Sequence, residues 1–189
     1  MCLLQAARGA SLTASRTRAV GLLAALAAGV VLVDQVTKQL AADRLADSEP
    51  VRLLGGALYL VHTTNSGAAF NLGSSYTWVF PVVAFAVIGW IGWLSRRLRS
   101  LPWAVSLGLV LGGASGNLVD RLFRAPGPFR GEVVDMISVF DPYGRVWPVF
   151  NVADSALVVG VLLAVFLELT GRRRDGTRVT SSQVSSPNE

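Results

Sequence analysis

The chain alternates long apolar runs with shorter polar stretches. Four of the runs carry little or no charge, and each is bounded by charged or turn residues. A helix needs roughly 20 mostly apolar residues to cross about 30 Å of hydrocarbon. The pattern therefore predicts four membrane-spanning helices, at about residues 19–33 with a continuation past Asp34, 76–94, 101–119 and 150–167.

Two longer polar segments, 43–75 and 121–149, join the first span to the second and the third span to the fourth. Each contains a short stretch, 51–63 or 132–140, that is rich in strand-forming residues and lies among Gly and Pro turns. Such stretches are typical of β-strands. We predict an all-α transmembrane fold of four helices with small sheet elements in these loops. Pro126-Gly127-Pro128 predicts a flexible insertion before the second stretch.

The two ends of the chain lack apolar periodicity. Residues 1–18 and 171–189 are polar, basic or Ser-rich, which predicts mobile tails on either side of one four-span domain at 19–170. The two halves of that domain show no internal repeat, and this argues against an inverted-repeat transporter.

Composition and charge support a membrane protein. Of the 189 residues, 52% are hydrophobic and 15% are charged, which is far from the balance of a soluble domain. A net charge of +5 would also suit a nucleic-acid partner, but the arginines fall in three zones that the predicted spans place on one side. The positive-inside rule makes that side, and both termini, cytoplasmic, so the two longer loops face outward and no nucleic-acid partner is expected. The arginines of these zones are Arg8, Arg16, Arg18, Arg96, Arg97, Arg99, Arg172, Arg173, Arg174 and Arg178.

The first apolar run also has features of a cleaved signal peptide, because arginines precede it and small residues fill it. It passes straight into Asp34 without a small-x-small cleavage site, and its removal would leave three spans and an inverted topology. We interpret it as a retained helix. Cys2 is the only cysteine and His62 the only histidine, so we expect no disulfide, no metal and no cofactor.

Four aspartates near the predicted membrane are candidates for function. An ionisable group beside hydrocarbon costs several kcal/mol unless it is paired or hydrated, so such a residue is seldom present without a role. The predicted topology brings Asp34, Asp120, Asp135 and Asp154 to one depth at the outer face. Their convergence indicates a functional site rather than a path across the membrane.

Two of these aspartates have a basic partner nearby in the sequence. Asp34 and Lys38 are four residues apart, which places them on one helix face and predicts an ion pair. Asp120 is followed at once by Arg121, and a carboxylate held ionised by a guanidinium is a poor proton acceptor. We assign both aspartates to support of the site.

Asp135 and Asp154 lack such a neighbour and are surrounded by apolar residues. If their carboxyl groups meet, repulsion prevents both from ionising easily, so one stays protonated while the other accepts a proton from water. This is an acid and base pair suited to peptide hydrolysis. The pair would titrate as a unit, so either residue could be the base.

Three asparagines, Asn65, Asn117 and Asn151, lie where spans meet the outer loops, and buried amides there must find hydrogen-bond partners. Capping of helix ends is their ordinary role. Runs of small residues, such as the one that contains Gly67, permit close helix packing or leave room for an acyl chain.

Five ordered blocks between residues 34 and 155 resemble lipoprotein signal peptidase, the bacterial signal peptidase II. No single block would identify the family, but the five blocks in this order, in a four-span chain of this length, are specific. The blocks are Asp34-Gln35-Val36-Thr37-Lys38, Asn65-Ser66-Gly67-Ala68-Ala69-Phe70, Gly116-Asn117-Leu118-Val119-Asp120-Arg121, Val133-Val134-Asp135-Met136 and Phe150-Asn151-Val152-Ala153-Asp154-Ser155.

The resemblance implies an aspartic endopeptidase of the bacterial cell membrane that cuts prolipoproteins just before a diacylglyceryl-modified cysteine. It implies four helices with a small extracytoplasmic β cradle, contact with membrane lipids, no metal, and inhibition by the cyclic peptide globomycin. The family's catalytic pair corresponds to Asp135 and Asp154. Its substrate-binding or supporting positions correspond to Asp34, Lys38, Asn65, Gly67, Asn117, Asp120, Arg121 and Asn151.

The chain departs from the family pattern between Asp120 and Asp135, where residues 124–130 look like extra length. The motifs on both sides are intact, so the departure affects the loop path and the way substrate enters rather than the aspartate pair.

Three other functions compete with this interpretation. A small proton-coupled transporter would use the membrane aspartates as a relay, although a relay needs carboxylates at several depths. A metal-dependent head-group transferase would need carboxylates grouped for Mg²⁺. A serine protease would use Ser66 or Ser155 with Lys38 as base, although a serine at a helix start more often caps the helix.

Overall fold

The computed structural model describes residues 2–67 and 77–178, with side chains from residue 15 onward. Some of the sequence-based expectations lie outside these residues. They concern Ala68, Ala69 and Phe70 of the second motif block, the start of the second predicted span at residue 76, and residues 179–189 of the predicted C-terminal tail.

Four helices form the body of the described part of the chain, as the apolar runs predict. They are α1 (Cys2–Leu45), α2 (Val79–Ser95), α3 (Leu101–Phe123) and α4 (Val152–Leu169). Within the described residues, the Ser15–Leu45 part of α1, α3 and α4 are long and apolar enough to cross a membrane, while α2 has 17 residues. The fold is therefore that of a polytopic helical membrane protein.

The predicted tails differ from the structure. Helix α1 begins at Cys2, so it runs through the segment predicted as an N-terminal tail. At the other end, the Arg172 and Arg178 backbones form a β-bridge, and the Arg99 and Ser100 amides donate to the Arg174 carbonyl at 2.9 and 3.1 Å. These backbone contacts order a segment that has no apolar periodicity to reveal them.

The loops hold a three-stranded antiparallel sheet, which confirms the predicted sheet elements. Its strands are β1 (Val51–Leu53), β2 (Leu58–Asn65) and β3 (Val133–Val139), in the order β1-β2-β3. The β2–β3 register pairs Thr63 with Asp135, after an irregularity between Leu60 and Thr63. The Phe150 backbone exchanges two hydrogen bonds with Ile137, of 2.8 and 2.9 Å, and so ties the start of α4 to β3.

The insertion after α3 is a closed turn rather than a free loop. The Arg130 amide donates to the Gly127 carbonyl at 3.0 Å, and the Glu132 amide donates to the Ala125 carbonyl at 2.9 Å. The Gly131 amide donates to the Arg121 carbonyl at 3.1 Å. A side chain at Gly131 would collide with the Asp120 carbonyl, so the absence of a Cβ permits this approach.

Helix α3 packs between α1 and α4 through its small residues. A Cβ added at Gly108 would lie 3.0 Å from the Leu23 carbonyl of α1, and one added at Gly113 would collide with the Ala153 carbonyl of α4. The Ser106 hydroxyl donates to the Gly160 carbonyl of α4 at 2.8 Å. Close backbone approach of this kind is the usual way for helices to associate in lipid. It explains the small residues of α3; the run that contains Gly67 continues outside the described residues.

We expect Gly116→Ala to destabilise the protein by about 1–3 kcal/mol, the usual cost of forcing extra volume into a packed core. Its new methyl group would lie 2.7 Å from Asp34 Oδ2 and 3.2 Å from the Ala153 Cβ, so the helices must separate. Gly89→Ala in α2 is the matched control, because nothing lies within 4 Å of its new methyl group. Thermal unfolding in detergent measures both. Equal melting temperatures for the two variants would contradict this account of the α1–α3–α4 junction.

Candidate active site

Asp154 occupies the first turn of α4, where local sequence fixes its position. Asn151 is the N-cap residue, and its side-chain oxygen accepts a hydrogen bond of 2.9 Å from the Asp154 amide. Asp154 Oδ2 in turn accepts one of 3.2 Å from the Asn151 amide. The two residues form a reciprocal capping box, with aspartate in the place of the usual glutamate. The expected capping role of Asn151 is confirmed.

Asp135 comes from the other side of the site, in the middle of β3. The Asn151 side-chain amide donates to Asp135 Oδ1 at 2.6 Å, so Asn151 touches both carboxyl groups. Asn65, at the end of β2, donates to Asp135 Oδ2 at 3.3 Å, and Asn117 of α3 donates to Asp154 Oδ1 at 2.7 Å. Each carboxyl oxygen of the two aspartates therefore accepts one hydrogen bond. The structure brings together residues that are distant in the sequence.

A buried ion cluster lies behind Asp154. Lys38 Nζ is 2.8 Å from Asp34 Oδ2 and 2.7 Å from Asp120 Oδ2, and all three side chains are fully buried. The predicted Asp34–Lys38 pair is confirmed. The third donor direction of the ammonium group is used by Asn117 Oδ1, at 2.9 Å. A lysine has three donors, so this one is fully satisfied.

This cluster fixes the orientation of the Asn117 amide. Its oxygen must face the ammonium group of Lys38, so its NH₂ group must face Asp154 Oδ1. Asp34 of α1 also contacts α4, the helix that carries Asp154, because its Oδ1 accepts a 2.9 Å hydrogen bond from the Ala153 amide. Helix α1 thus positions the Asp154 carboxyl group through both α3 and α4.

Gln35 is a site residue to which the sequence analysis gave no role. Its Nε2 lies 3.1 Å from Asp34 Oδ2, 3.1 Å from the Gly116 carbonyl and 3.2 Å from Asp120 Oδ1. Gln35 thus gives the Asp34 and Asp120 carboxylates a second donor besides Lys38. Its bond to the Gly116 carbonyl also joins α1 to α3. Gln35 could have been identified from the sequence, because it is a polar residue next to Asp34 inside an apolar run.

The predicted pairing of Asp120 with Arg121 is wrong. Asp120 pairs instead with Lys38 and with Arg124, whose Nε is 2.7 Å from Asp120 Oδ1. Adjacent helical residues point in different directions, whereas residues four apart share a face. Arg121 donates to the carbonyls of Ser66 at 3.0 Å and Gly67 at 2.5 Å.

Arg121 therefore attaches the loop after β2 to α3. Its guanidinium also donates to the Gly131 carbonyl at 3.0 Å and lies 5.1 Å from the Phe80 ring centroid. Within the loop, the Gly67 amide donates to Asn65 Oδ1 at 2.9 Å, which orients the Asn65 NH₂ group toward Asp135. Asp120 and Arg121 are adjacent in the sequence but contact different partners.

Burial raises the pKa of Asp135 to about 7, and the neighbouring Asp154 carboxyl group adds to the rise. The hydrogen bonds from Asn151 and Asn65 favour the ionised form and oppose these effects. Only 3% of the Asp135 surface is exposed. At neutral pH this carboxyl group is thus balanced between its two protonation states, as an acid or base catalyst requires.

A cleft of about 720 Å³ opens onto both aspartates. Asp135 and Asp154 lie on its wall with Asn65, Asn117 and Arg121. The remaining wall is mostly apolar and comes from α2, α3, β3, α4 and the segment before α4. Its apolar side chains are Phe80, Ala84, Leu118, Val133, Trp147, Pro148, Val149, Phe150, Leu157, Val158 and Val159.

The ten residues proposed from the sequence fall into two linked groups. Asp135, Asp154, Asn65, Gly67, Asn117 and Arg121 line the cleft, while Asp34, Lys38, Asp120 and Asn151 are buried behind it. Residues 2–67 and 77–178 contain no group of three or more His, Cys, Asp and Glu side chains that could hold a metal ion.

Comparisons with known proteins agree with this arrangement. The sequence model of the family described as "Signal peptidase (SPase) II" matches residues 26–170. The lipoprotein signal peptidase of Mycobacterium avium is 49% identical over 154 residues, covering 82% of each chain. That of Streptomyces coelicolor is 47% identical over 160 residues, covering 85% of this chain and 76% of the relative.

Solved structures give the same result. One bacterial membrane enzyme, determined by the in meso method, superposes with a TM-score of 0.70 at 27% identity and covers 85% of this chain and 95% of its own. A second superposes with a TM-score of 0.67 at 29% identity, over 79% and 93%. The resemblance found in the five motif blocks is thereby confirmed. This multi-pass membrane protein belongs to the signal peptidase II family of peptidases.

Proposed function

We propose that the protein is an aspartic endopeptidase that removes signal peptides from prolipoproteins, cutting on the N-terminal side of an S-diacylglyceryl-modified cysteine. The observation that carries the proposal is the meeting of two carboxyl groups, joined through Asn151, on the wall of an apolar cleft. The relatives named lipoprotein signal peptidase support the choice of substrate. Residues 19–170 carry this activity.

In the proposed reaction, Asp135 and Asp154 share one proton and bind a water molecule between them. The ionised carboxylate takes a proton from the water as its oxygen attacks the peptide carbonyl, and the protonated carboxyl group donates its proton to the carbonyl oxygen. The first carboxyl group then protonates the leaving amine as the C–N bond breaks, and a hydroxyl group of the tetrahedral intermediate returns its proton to the second carboxylate, which restores the shared proton. The hydrogen bonds from Asn65, Asn117 and Asn151 hold the two carboxyl groups in position.

The apolar wall of the cleft suits acyl chains. Burial of a methylene group contributes about 0.8 kcal/mol, so two acyl chains supply binding energy that an unmodified cysteine lacks. Part of that energy serves to orient the peptide against the aspartates. A cyclic lipopeptide inhibitor of the globomycin type would use the same wall, with its peptide part near Asp135 and Asp154.

We place the protein in the bacterial cytoplasmic membrane with Asp135 and Asp154 at the outer face. The arginines after α2 and α4 lie at the end of the bundle away from the two aspartates, and the positive-inside rule makes that end cytoplasmic. Both termini are then cytoplasmic, and membrane lipids surround the exposed apolar faces of the helices.

The test is cleavage by the purified protein, in chelator, of one precursor with and without its diacylglyceryl group. We expect cleavage of the lipidated precursor at the bond before the cysteine, and at least a hundredfold slower cleavage of the unlipidated form, as expected when about 3 kcal/mol of lipid binding is lost. Equal cleavage of the two forms would overturn the lipid requirement. Loss of activity in chelator would overturn the metal-free mechanism.

We expect activity to fall as the pH rises above about 7. The raised pKa of Asp135 means that the shared proton is held below that pH and lost above it, so cleavage decreases roughly tenfold per unit on the alkaline side. Asn65→Ala should move this limb to higher pH, because it removes a hydrogen bond that favours the ionised form. Rates between pH 5 and 9 measure both. If the alkaline decrease in rate occurs at the same pH in Asn65→Ala, it reports the titration of a group other than Asp135.

A further inference from the structure

A second cavity, of about 730 Å³, lies at the end of the bundle opposite Asp135 and Asp154. It is formed where α2 ends and where the chain leaves α4. Its lining residues are Trp93, Leu94, Arg96, Arg97, Glu168, Gly171, Arg172, Arg173, Arg174 and Asp175. It shares none of its walls with the cleft that contains the two aspartates.

The arginine-rich wall is held in place by specific contacts. The carbonyl of Arg174 accepts hydrogen bonds from the Arg99 and Ser100 amides, and the Arg172 carbonyl accepts one of 2.8 Å from the Trp103 indole nitrogen. The Arg174 guanidinium lies 5.5 Å from the Trp103 ring centroid. The segment after α4 is thus attached to the start of α3, and its arginines are brought beside those of α2.

The cavity carries an excess of positive charge. Five arginines line it against two carboxylates, Glu168 and Asp175. The ion pairs found in the described part of the chain all belong to the buried cluster around Asp120, and none joins an arginine of this cavity to Glu168 or Asp175. Four of the arginines are exposed, so their guanidinium groups can bind an external anion, while Arg174 lies against Trp103. The four are Arg96, Arg97, Arg172 and Arg173. Their planar fork matches the oxygens of a phosphate group.

One part of the cavity wall is apolar and comes from the exposed face of α2. Trp93 and Leu94 form this wall, and Trp93 is 62% exposed. Trp90 on α2 and Phe166 on α4, near the same ends of their helices, are also exposed. An amphipathic ring at a helix end is typical of the membrane interface. Such a site fits a ligand with a phosphate and an attached acyl chain better than a soluble anion.

We propose that this cavity binds the head group of an anionic glycerophospholipid from the leaflet on this side of the membrane. The arginines bind the phosphodiester, and the first part of an acyl chain lies against Trp93 and Leu94. Basic pockets between membrane helices are suited to such head groups. Bound lipid would bridge the arginines at the end of α2 and those of the segment after α4. The proposal is independent of the peptidase chemistry.

Lipid retention by the detergent-solubilised protein, measured by native mass spectrometry, tests the proposal. We expect phosphatidylglycerol to bind about tenfold more tightly than phosphatidylcholine of the same chains. The double variant Arg96→Gln and Arg173→Gln should lose about tenfold in phosphatidylglycerol affinity, given the contribution of each basic side chain near anionic lipid. The control, Arg130→Gln with Arg145→Gln, removes the same charge from exposed positions at the other end and should bind as the wild type does.

Two outcomes would overturn the proposal. Equal loss of phosphatidylglycerol binding in both double variants would mean that net charge alone attracts the lipid. Displacement of phosphatidylglycerol by millimolar inorganic phosphate or glycerol phosphate would mean that the site takes a soluble anion. The comparison of the two lipids uses the wild-type protein, so the proposal stays testable if the Arg96→Gln and Arg173→Gln variant fails to fold; equal affinities there would overturn it as well.

Discussion

Asp135→Asn and Asp154→Asn should each reduce cleavage of a lipidated precursor by at least two to four orders of magnitude, the range for removal of a positioned acid or base. Asparagine keeps the shape of aspartate and can still accept a hydrogen bond through its oxygen, from Asn151 at position 135 and from Asn117 at position 154. The substitution removes the exchangeable proton and the negative charge. The effect is therefore expected on catalysis rather than on folding.

The matched control is Asp43→Asn, an exposed aspartate on α1 whose side chain contacts Gln39. It should cleave as the wild type does. All three variants should remain in the membrane and show the same thermal transition within a few degrees. Near-native cleavage by either asparagine variant at position 135 or 154 would remove that residue from the mechanism. Proton flux in vesicles would then test the transporter that the membrane aspartates also suggested.

The geometry weakens the competing serine mechanism. The Ser155 hydroxyl donates to the Asn151 carbonyl at 3.0 Å, which is the bond that a serine within a helix commonly makes to the carbonyl four residues earlier. Lys38 uses its three donors on Asp34, Asp120 and Asn117 and has none left for a nucleophile. A serine would need a base within hydrogen-bond reach. Lys38 is therefore a poor candidate for that base.

The apolar runs were sufficient to predict the four helices, because the thickness of the membrane sets the length of a spanning run. Short-range spacing predicted the Asp34–Lys38 pair, since residues four apart share a helix face. The same logic, applied to direct neighbours, gave the wrong partner for Asp120. The sequence did show Arg124 four positions after Asp120, and that spacing was the better guide.

Contacts between distant segments could not be read from spacing. Asn151 touches Asp135 only because β3 pairs with the Phe150 backbone, and Asn65 reaches it only through the β2–β3 register. Likewise, the polar segment after α4 is ordered by backbone and indole hydrogen bonds to the start of α3. Such bonds leave no hydrophobic pattern. The candidate site was thus predicted as a set of residues, whereas its connections required the structure.

Lys38→Met should strongly destabilise the protein. It leaves Asp34 fully buried with no cationic partner and removes one of the two cations that contact Asp120. Removal of one partner from a buried ion pair typically costs about 3–5 kcal/mol, because the remaining charge stays desolvated. For a chain of this size, that loss corresponds to a fall in melting temperature of roughly 10 °C or more. Thermal unfolding in detergent measures it, with Arg44→Met, an exposed cation on the same helix, as the control.

A second substitution separates the charge effect from lost packing. Lys38→Met combined with Asp34→Asn should recover part of the stability, because the asparagine oxygen can still accept from the Ala153 amide and Asp120 keeps Arg124. A double-mutant cycle gives the coupling between the two positions. Cleavage should stay low in the recovered variant, since the Asn117 amide no longer has an ammonium group to orient it toward Asp154. Recovery of cleavage together with stability would mean that Lys38 contributes only to folding and does not position Asn117.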